Sequence, residues 1–157
     1  MVYKEIKKDI TTIDFTPETA IAHCISCDCE MGAGVVVPIY NQHRALKASC
    51  RAYAGEKTED NLIRTAYRFA DETGVVYNMF TKRKVWQNAT KGMAAGEYLH
   101  NLKNCLIDVR EQMLMCNENI LYMPQIACSL DRCNWNDVRR IIIEVFYKTQ
   151  LTVIICK

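Results

Sequence analysis

The chain has 157 residues, 50% of them apolar and 24% charged, with a formal charge of +2. These totals exclude a disordered polymer and describe an ordinary folded chain, long enough for one core that buries about 70% of its unfolded surface. They supply no bulk positive charge for a polyanion groove, and leave a small phosphate-bearing ligand open.

Met1 to Glu5 contains no apolar leader core. Val2 to Ile10 alternates in part and reads as a strand at the sheet margin, ended by Asp9. Thr16-Pro17-Glu18 reads as a short helical turn with Thr16 as cap. Ala20 to Ile25 is a buried strand; it breaks at Ser26-Cys27-Asp28-Cys29-Glu30 and turns on Gly32-Ala33-Gly34. A helix is expected from Val35 through Tyr53, leaving at Ala54 to Lys57. Ile63 to Ala70 and Val75 to Thr81 read as two strands joined by Asp71-Glu72-Thr73-Gly74, the second of them central. Val85 to Gly96 is a loop. From Glu97 onward, Leu99, Leu102, Leu106, Val109 and Met113 form the stripe of an amphipathic helix. Ile120 to Met123 is a short strand stopped by Pro124, and a loop follows from Gln125 to Arg132. Asn134 caps a helix whose buried face is Val138, Ile141, Ile142, Val145 and Phe146. Leu151 to Cys156 is the last strand.

Strands alternating with helices, plus one hairpin, predict an α/β fold with a mixed sheet. No repeat or linker divides it, so residues 1–157 are expected to form a single domain. No apolar run approaches the ~20 residues needed to span a bilayer. A cytoplasmic or nuclear monomer that avoids membranes is therefore expected. The nine cysteines are odd in number, and Cys24, Cys105, Cys116 and Cys156 fall in apolar segments, so reduced thiols are expected. A zinc set would recruit Cys24, Cys27 and Cys29 with Cys128 and Cys133, whose spacing is not a standard knuckle; no metal or other cofactor is expected.

In sheets of this kind, ligands bind beyond the carboxyl ends of the strands. Three loops share that address: Ser26 to Gly34, Lys82 to Gly92, and Gln125 to Arg132. A strand feeding a glycine turn and then a helix start makes an anion site from free N–H groups. Lys82, at a strand end, and Asp131, just before a helix, are candidates for nucleophile and acid–base partner. A lysine is almost wholly protonated at neutral pH, so nucleophilic use requires desolvation or a base that removes the proton. A carboxylate alone holds a lysine protonated, which makes Asp131 the base during reaction. Lys84 shares the strand parity of Lys82 and is the competing position. His23, inside an apolar strand, reads as a hydrogen-bonded core residue, and Trp135 as core; Trp86 is open either way.

The segments Ala22-His23-Cys24-Ile25-Ser26, Asp28-Cys29-Glu30-Met31-Gly32-Ala33-Gly34, Thr81-Lys82-Arg83-Lys84 and Met123 to Arg132 resemble the macro domain family. They are most similar to its terminal ADP-ribose protein glycohydrolase branch. The run MPxIxCxLDR followed by Trp135 is the specific part. The Asn-Ala-Asn pattern of other macro domain hydrolases is absent, and His23 to Ser26 stands in that strand instead. The resemblance implies a three-layer α/β/α sandwich, an ADP-ribose pocket and removal of mono-ADP-ribose from acidic side chains of proteins. It implies attack by Lys82 on the anomeric carbon of the distal ribose, with Asp131 assisting and then releasing the lysyl adduct. Asp9, with Ile10 beside it, matches the acid that reads the adenine amino group. Ser26 and Met31-Gly32-Ala33-Gly34 match the loop on the distal ribose and phosphate. Ile126, Ala127, Cys128, Ser129 and Leu130 match the second phosphate loop. The branch carries glycines where Ala127 and Ser129 stand here, which narrows that loop or adds a hydroxyl to it. Alternatives are a non-catalytic ADP-ribose reader and a hydrolase of ADP-ribosylated nucleic acid or of O-acetyl-ADP-ribose.

Overall fold

The computed structural model describes residues 1–157. Six strands form one sheet: β1 (Val2–Ile6), β2 (Thr19–Ser26), β3 (Ala66–Asp71), β4 (Gly74–Lys82), β5 (Ile120–Pro124) and β6 (Thr152–Cys156), in the order β1-β6-β5-β2-β4-β3. All neighbours pair in parallel except β3 with β4, which form the predicted hairpin. The sheet is therefore mixed, with β2 and β4 in its interior and β1 at its edge, as the patterning anticipates. Alternate side chains of the inner strands face opposite ways. Ala20, Ala22, Tyr77 and Met79 join one core, and Ile21, Ile25, Val76 and Phe80 the other.

The first core is covered by α4 (Ala95–Met115) and α5 (Trp135–Phe146), the second by α1 (Val36–Gln42), α2 (Leu46–Gly55) and the short α3 (Glu59–Leu62). This is the three-layer α/β/α arrangement. Helix α5 starts where its sequence says: the Asn134 side chain accepts from Asn136 N, a cap worth about 1 kcal/mol. Its inward residues Val138, Ile142, Val145 and Phe146 are buried, each worth roughly 1.5–3 kcal/mol when removed from water.

Several boundaries differ from expectation, for local reasons. Strand β1 ends at Ile6, where its partner β6 ends at Cys156, and Ile10–Thr12 form a short 3-10 helix capped by Asp9. Thr16 to Glu18 is a tight turn rather than helical, closed by Thr19 N on Thr16 O. The helix expected over 35–53 is broken between α1 and α2, where the buried His43 turns its imidazole onto Asp71 (3.0 Å) and Thr73 (3.1 Å) of the hairpin loop. Residues 63–65 precede β3 because Arg64 takes a positive φ. Helix α4 begins two residues before Glu97, and Pro124 closes β5 from within the strand.

Two buried polar groups belong to the scaffold. His23 Nε2 meets Asn78 Oδ1 at 2.6 Å, and burial lowers the imidazole pKa to about 4. Glu118, 2% exposed before β5, accepts from Arg68 (Nε 3.0 Å, Nη2 2.5 Å) and from the hydroxyl of Tyr77. All nine cysteines are free thiols, and Cys116 alone is exposed. Burial pushes Cys29 up to about 11 and Cys27, Cys50 and Cys133 up to about 12. No helix is long and apolar enough to cross a membrane.

Candidate functional site

Because β2, β4 and β5 run parallel, their carboxyl ends share one edge, and the three loops that leave it enclose a cleft of about 680 Å³. That volume lies within the ~300–1,000 Å³ usual for small-molecule sites. Its walls are residues 24–26 and 31–36, Lys82, residues 85–88, 124–127 and 129–132.

The loops are fastened to one another rather than left free. The register of β2 on β4 shifts between Ile25 and Ser26, which sets Ser26 opposite Lys82, and Cys27 N donates to Lys82 O at 2.9 Å. The Asp28 carboxylate accepts from the Ser26 hydroxyl and from Val85 N (2.9 Å), tying the first loop to the second. Ala89 N donates to Asp131 O at 2.8 Å, tying the second to the third. The first and third meet at Gly34, where φ is +81° and an added Cβ would lie 3.0 Å from Leu130 Cδ1. Of six non-glycine residues with positive φ, four are in these loops: Cys29, Met31, Ala127 and Arg132. Each such residue costs of order 1–3 kcal/mol and persists only where its surroundings over-determine it. Ala127, at φ +65°, holds a conformation that glycine would take without steric cost. The residue is 8% exposed, joins the first core and also lines the cleft.

At the centre of the cleft, Lys82 Nζ lies 2.6 Å from Asp131 Oδ1, with the side chains 9% and 12% exposed. The same nitrogen donates to Val85 O and Gln87 O, both at 2.9 Å. An ammonium has three N–H groups, so these partners fill it. A free amine forms only when one proton passes to an acceptor, and of the three partners Asp131 is the carboxylate. Lys84, the competing position, turns away to Glu59 Oε2 at 2.6 Å and is not in the wall. Helix α1 carries no side-chain cap at Val35, and in its first turn Val37 N donates to Gly34 O at 3.2 Å, which closes the glycine turn onto the helix.

Of the residues singled out from sequence, Lys82, Asp131, Ser26, Met31, Gly32, Ala33, Gly34, Ile126, Ala127, Ser129 and Leu130 line this cleft, and Cys128, Asp9 and Ile10 do not. Asp9 sits on the 3-10 helix that packs against β5. Its Oδ1 accepts from Thr11 N (2.9 Å) and Thr11 Oγ1 (2.8 Å), which lowers its pKa; Oδ2 makes no hydrogen bond. The Ile10 side chain is buried in the second core. Trp86 stands 56% exposed at the cleft mouth. Trp135 is half-buried against the first core, its Nε1 on Glu5 at 3.3 Å. Sequence reading missed Asp28, which its place two residues after Ser26 could have suggested. It also missed Tyr98, whose phenol reaches Asp131 from α4, because there Tyr98 occupies an ordinary core position.

No family model matches the sequence. The chain is 28% identical to the ADP-ribose glycohydrolase OARD1 of Homo sapiens and of Bos taurus over 138 residues, which is 87% of this chain and 81% of either relative. The macrodomain of Mycobacterium tuberculosis DarG superposes with a TM-score of 0.79 at 16% identity, over 99% of this chain and 98% of that one. Thermosipho africanus DarTG, solved in complex with ADP-ribose, gives 0.79 at 14% identity, over 99% of this chain and 41% of that one. At such identities the solved structures speak for the fold alone.

Proposed function

We propose that this chain, a macro domain by fold and by sequence likeness, binds ADP-ribose and hydrolyses it from acidic side chains of proteins through an adduct on Lys82. The observation that carries this reading is the 2.6 Å contact of Lys82 with Asp131 inside a cleft of small-molecule size. The glycine turn at Gly32–Gly34 offers backbone N–H groups to the diphosphate, with residues 126–130 on its other side. Ser26 lies beside the distal ribose. The adenosine end extends past Pro124 to Asp9, whose unbonded Oδ2 accepts from the adenine amino group. Ile10 there contributes backbone, since its side chain is buried.

In the proposed reaction Lys82 passes one proton to Asp131, and its lone pair attacks the anomeric carbon of the distal ribose. The bond from that carbon to the ester oxygen breaks, and its electron pair leaves with the target carboxylate. The nitrogen now carries the sugar and two protons, and Asp131 releases its proton to solvent. Asp131 then takes a proton from a water that attacks the same carbon. The carbon–nitrogen bond breaks toward nitrogen, and Asp131 returns a proton to give the ammonium again.

A peptide carrying ADP-ribose as a glutamate ester tests this. Wild type is expected to release ADP-ribose, and Lys82→Ala to lose at least about 10³-fold, roughly 4 kcal/mol of barrier. Asp131→Ala is expected to form the adduct slowly, with solvent taking the lysine proton, and to release it more slowly still, so that protein heavier by one ADP-ribosyl group accumulates over long incubation. An inert wild type, or undiminished release by Lys82→Ala, rejects the mechanism. Binding without turnover on any linkage would make the chain a reader. Turnover confined to DNA-linked or O-acetyl-ADP-ribose would move the substrate class.

A further inference from the structure

Asp131 has two carboxylate oxygens, and Lys82 uses only one of them. The other, Oδ2, accepts the phenolic O–H of Tyr98, a residue with 0% exposure in the first turns of α4 that does not line the cleft. Tyr98 in turn meets Thr81 Oγ1 at 2.9 Å. With the phenol donating to the carboxylate, the Thr81 hydroxyl donates to the phenol. Thr81 is also 0% exposed, and its backbone carbonyl is held by Asn101 Nδ2 at 3.0 Å. Consecutive residues of β4 thus reach one carboxylate by two routes, Lys82 directly and Thr81 through Tyr98.

Asp131 itself stands on a loop, between the exposed Leu130 and the left-handed Arg132. A loop carboxylate rotates freely about its last torsion unless something fixes it. Resting on the proposed function of Lys82 and Asp131, we infer that Tyr98 is a positioning residue: it pins Oδ2 so that Oδ1 faces the Lys82 nitrogen and, later, the attacking water. Burial raises the phenol's pKa well above the ordinary tyrosine range. Tyr98 therefore stays a donor at neutral pH and takes no proton itself. It forms no bond to substrate, so its loss acts on the chemical step and not on binding.

Removing only the hydroxyl, in Tyr98→Phe, is expected to lower kcat roughly 10- to 100-fold, the cost of a reacting group held about an ångström out of place. KM and the Kd for ADP-ribose should stay within about two-fold, because the phenol is outside the cleft wall. The deciding measurement is a cycle with Asp131→Ala. If Tyr98 acts only through Asp131, adding Tyr98→Phe to Asp131→Ala costs nothing further. Losses that multiply, or a rise in KM with kcat unchanged, overturn the inference. Should Tyr98→Phe fail to fold by thermal melting, Thr81→Val serves instead: it keeps the phenol and removes its donor. Thr81→Val is expected to lower kcat about three-fold with KM unchanged, and an unaltered kcat overturns the inference. Wild type and Lys82→Ala run alongside keep the two failures apart. An inert wild type defeats the proposed function, whereas an active wild type with multiplying losses defeats only the role of Tyr98.

Discussion

Glu118→Ala tests the scaffold far from the cleft. The substitution removes the only acceptor that the structure gives the Tyr77 hydroxyl, and Tyr77 is 0% exposed. Arg68, whose side chain is 30% exposed, can turn to water, so most of the penalty falls on the tyrosine. A buried hydroxyl without a partner costs about 1–3 kcal/mol. With the charge-assisted bond to Arg68 and the lost methylenes, the sum is roughly 3–4 kcal/mol, within the range for breaking a buried ion pair. For a chain of this length each kcal/mol moves Tm by about 2–4 °C, so a fall of about 10 °C is expected. Adding Tyr77→Phe removes the orphaned hydroxyl and should return about 1 kcal/mol. Thermal and urea melts at neutral pH measure both, and an unchanged m-value keeps the comparison within two states. A loss below about 1 kcal/mol, or a further loss on adding Tyr77→Phe, would refute the reasoning. Glu118 does not line the cleft, so ADP-ribose binding well below the transition should be unaltered.

Two further outcomes follow from single residues. His23 has a pKa lowered to about 4 by burial, so the unfolded chain binds its proton first as pH falls. The stability from keeping it neutral is complete above about pH 6.5 and is lost on the way down to pH 4. At about 1.36 kcal/mol per pH unit the loss is on the order of 3 kcal/mol. His23→Gln should flatten that window in urea melts, and an unchanged slope argues against it. In Gly92→Ala the new Cβ would sit 2.3 Å from Trp86 Cζ3 at a φ of +75°. The indole must swing away and the turn strain by about 1–2 kcal/mol. A shift in tryptophan emission with a lower Tm is expected; both unmoved would count against the packing.

The strand order of chemistry was easier to read in the sequence than the geometry that makes it reactive. Strands β2, β4 and β5 announce themselves as apolar runs, and the loops after them hold Ser26, Lys82 and Asp131, so a shared edge could be inferred from parallel pairing alone. Helix α5 was legible because Asn134 and its apolar spacing agree. The break between α1 and α2 was not, since it depends on His43 reaching Asp71 across the fold. Nor were the acceptors of Lys82: Val85 O and Gln87 O are backbone atoms, which every residue possesses. Tyr98 looked like any other core aromatic at helical spacing. Ala127, read from the sequence only as a non-glycine in the phosphate loop, both lines the cleft and joins the first core, and its left-handed backbone carried no signal in the sequence.

The parallel pairing of β1 with β6 separates the two ends of the polypeptide. The amino group of Met1 donates to Thr149 O at 2.6 Å, on the side of the sheet away from the ligand loops. Lys157 N donates to Ile6 O at 2.9 Å, on the side shared with Asp9 and the ends of β2, β4 and β5. Any polypeptide joined after residue 157 emerges on the rim that holds the cleft, whereas one joined before residue 1 departs from the opposite pole. Purification handles and fluorescent fusions are therefore better placed at the amino end, where their bulk leaves the cleft mouth unobstructed.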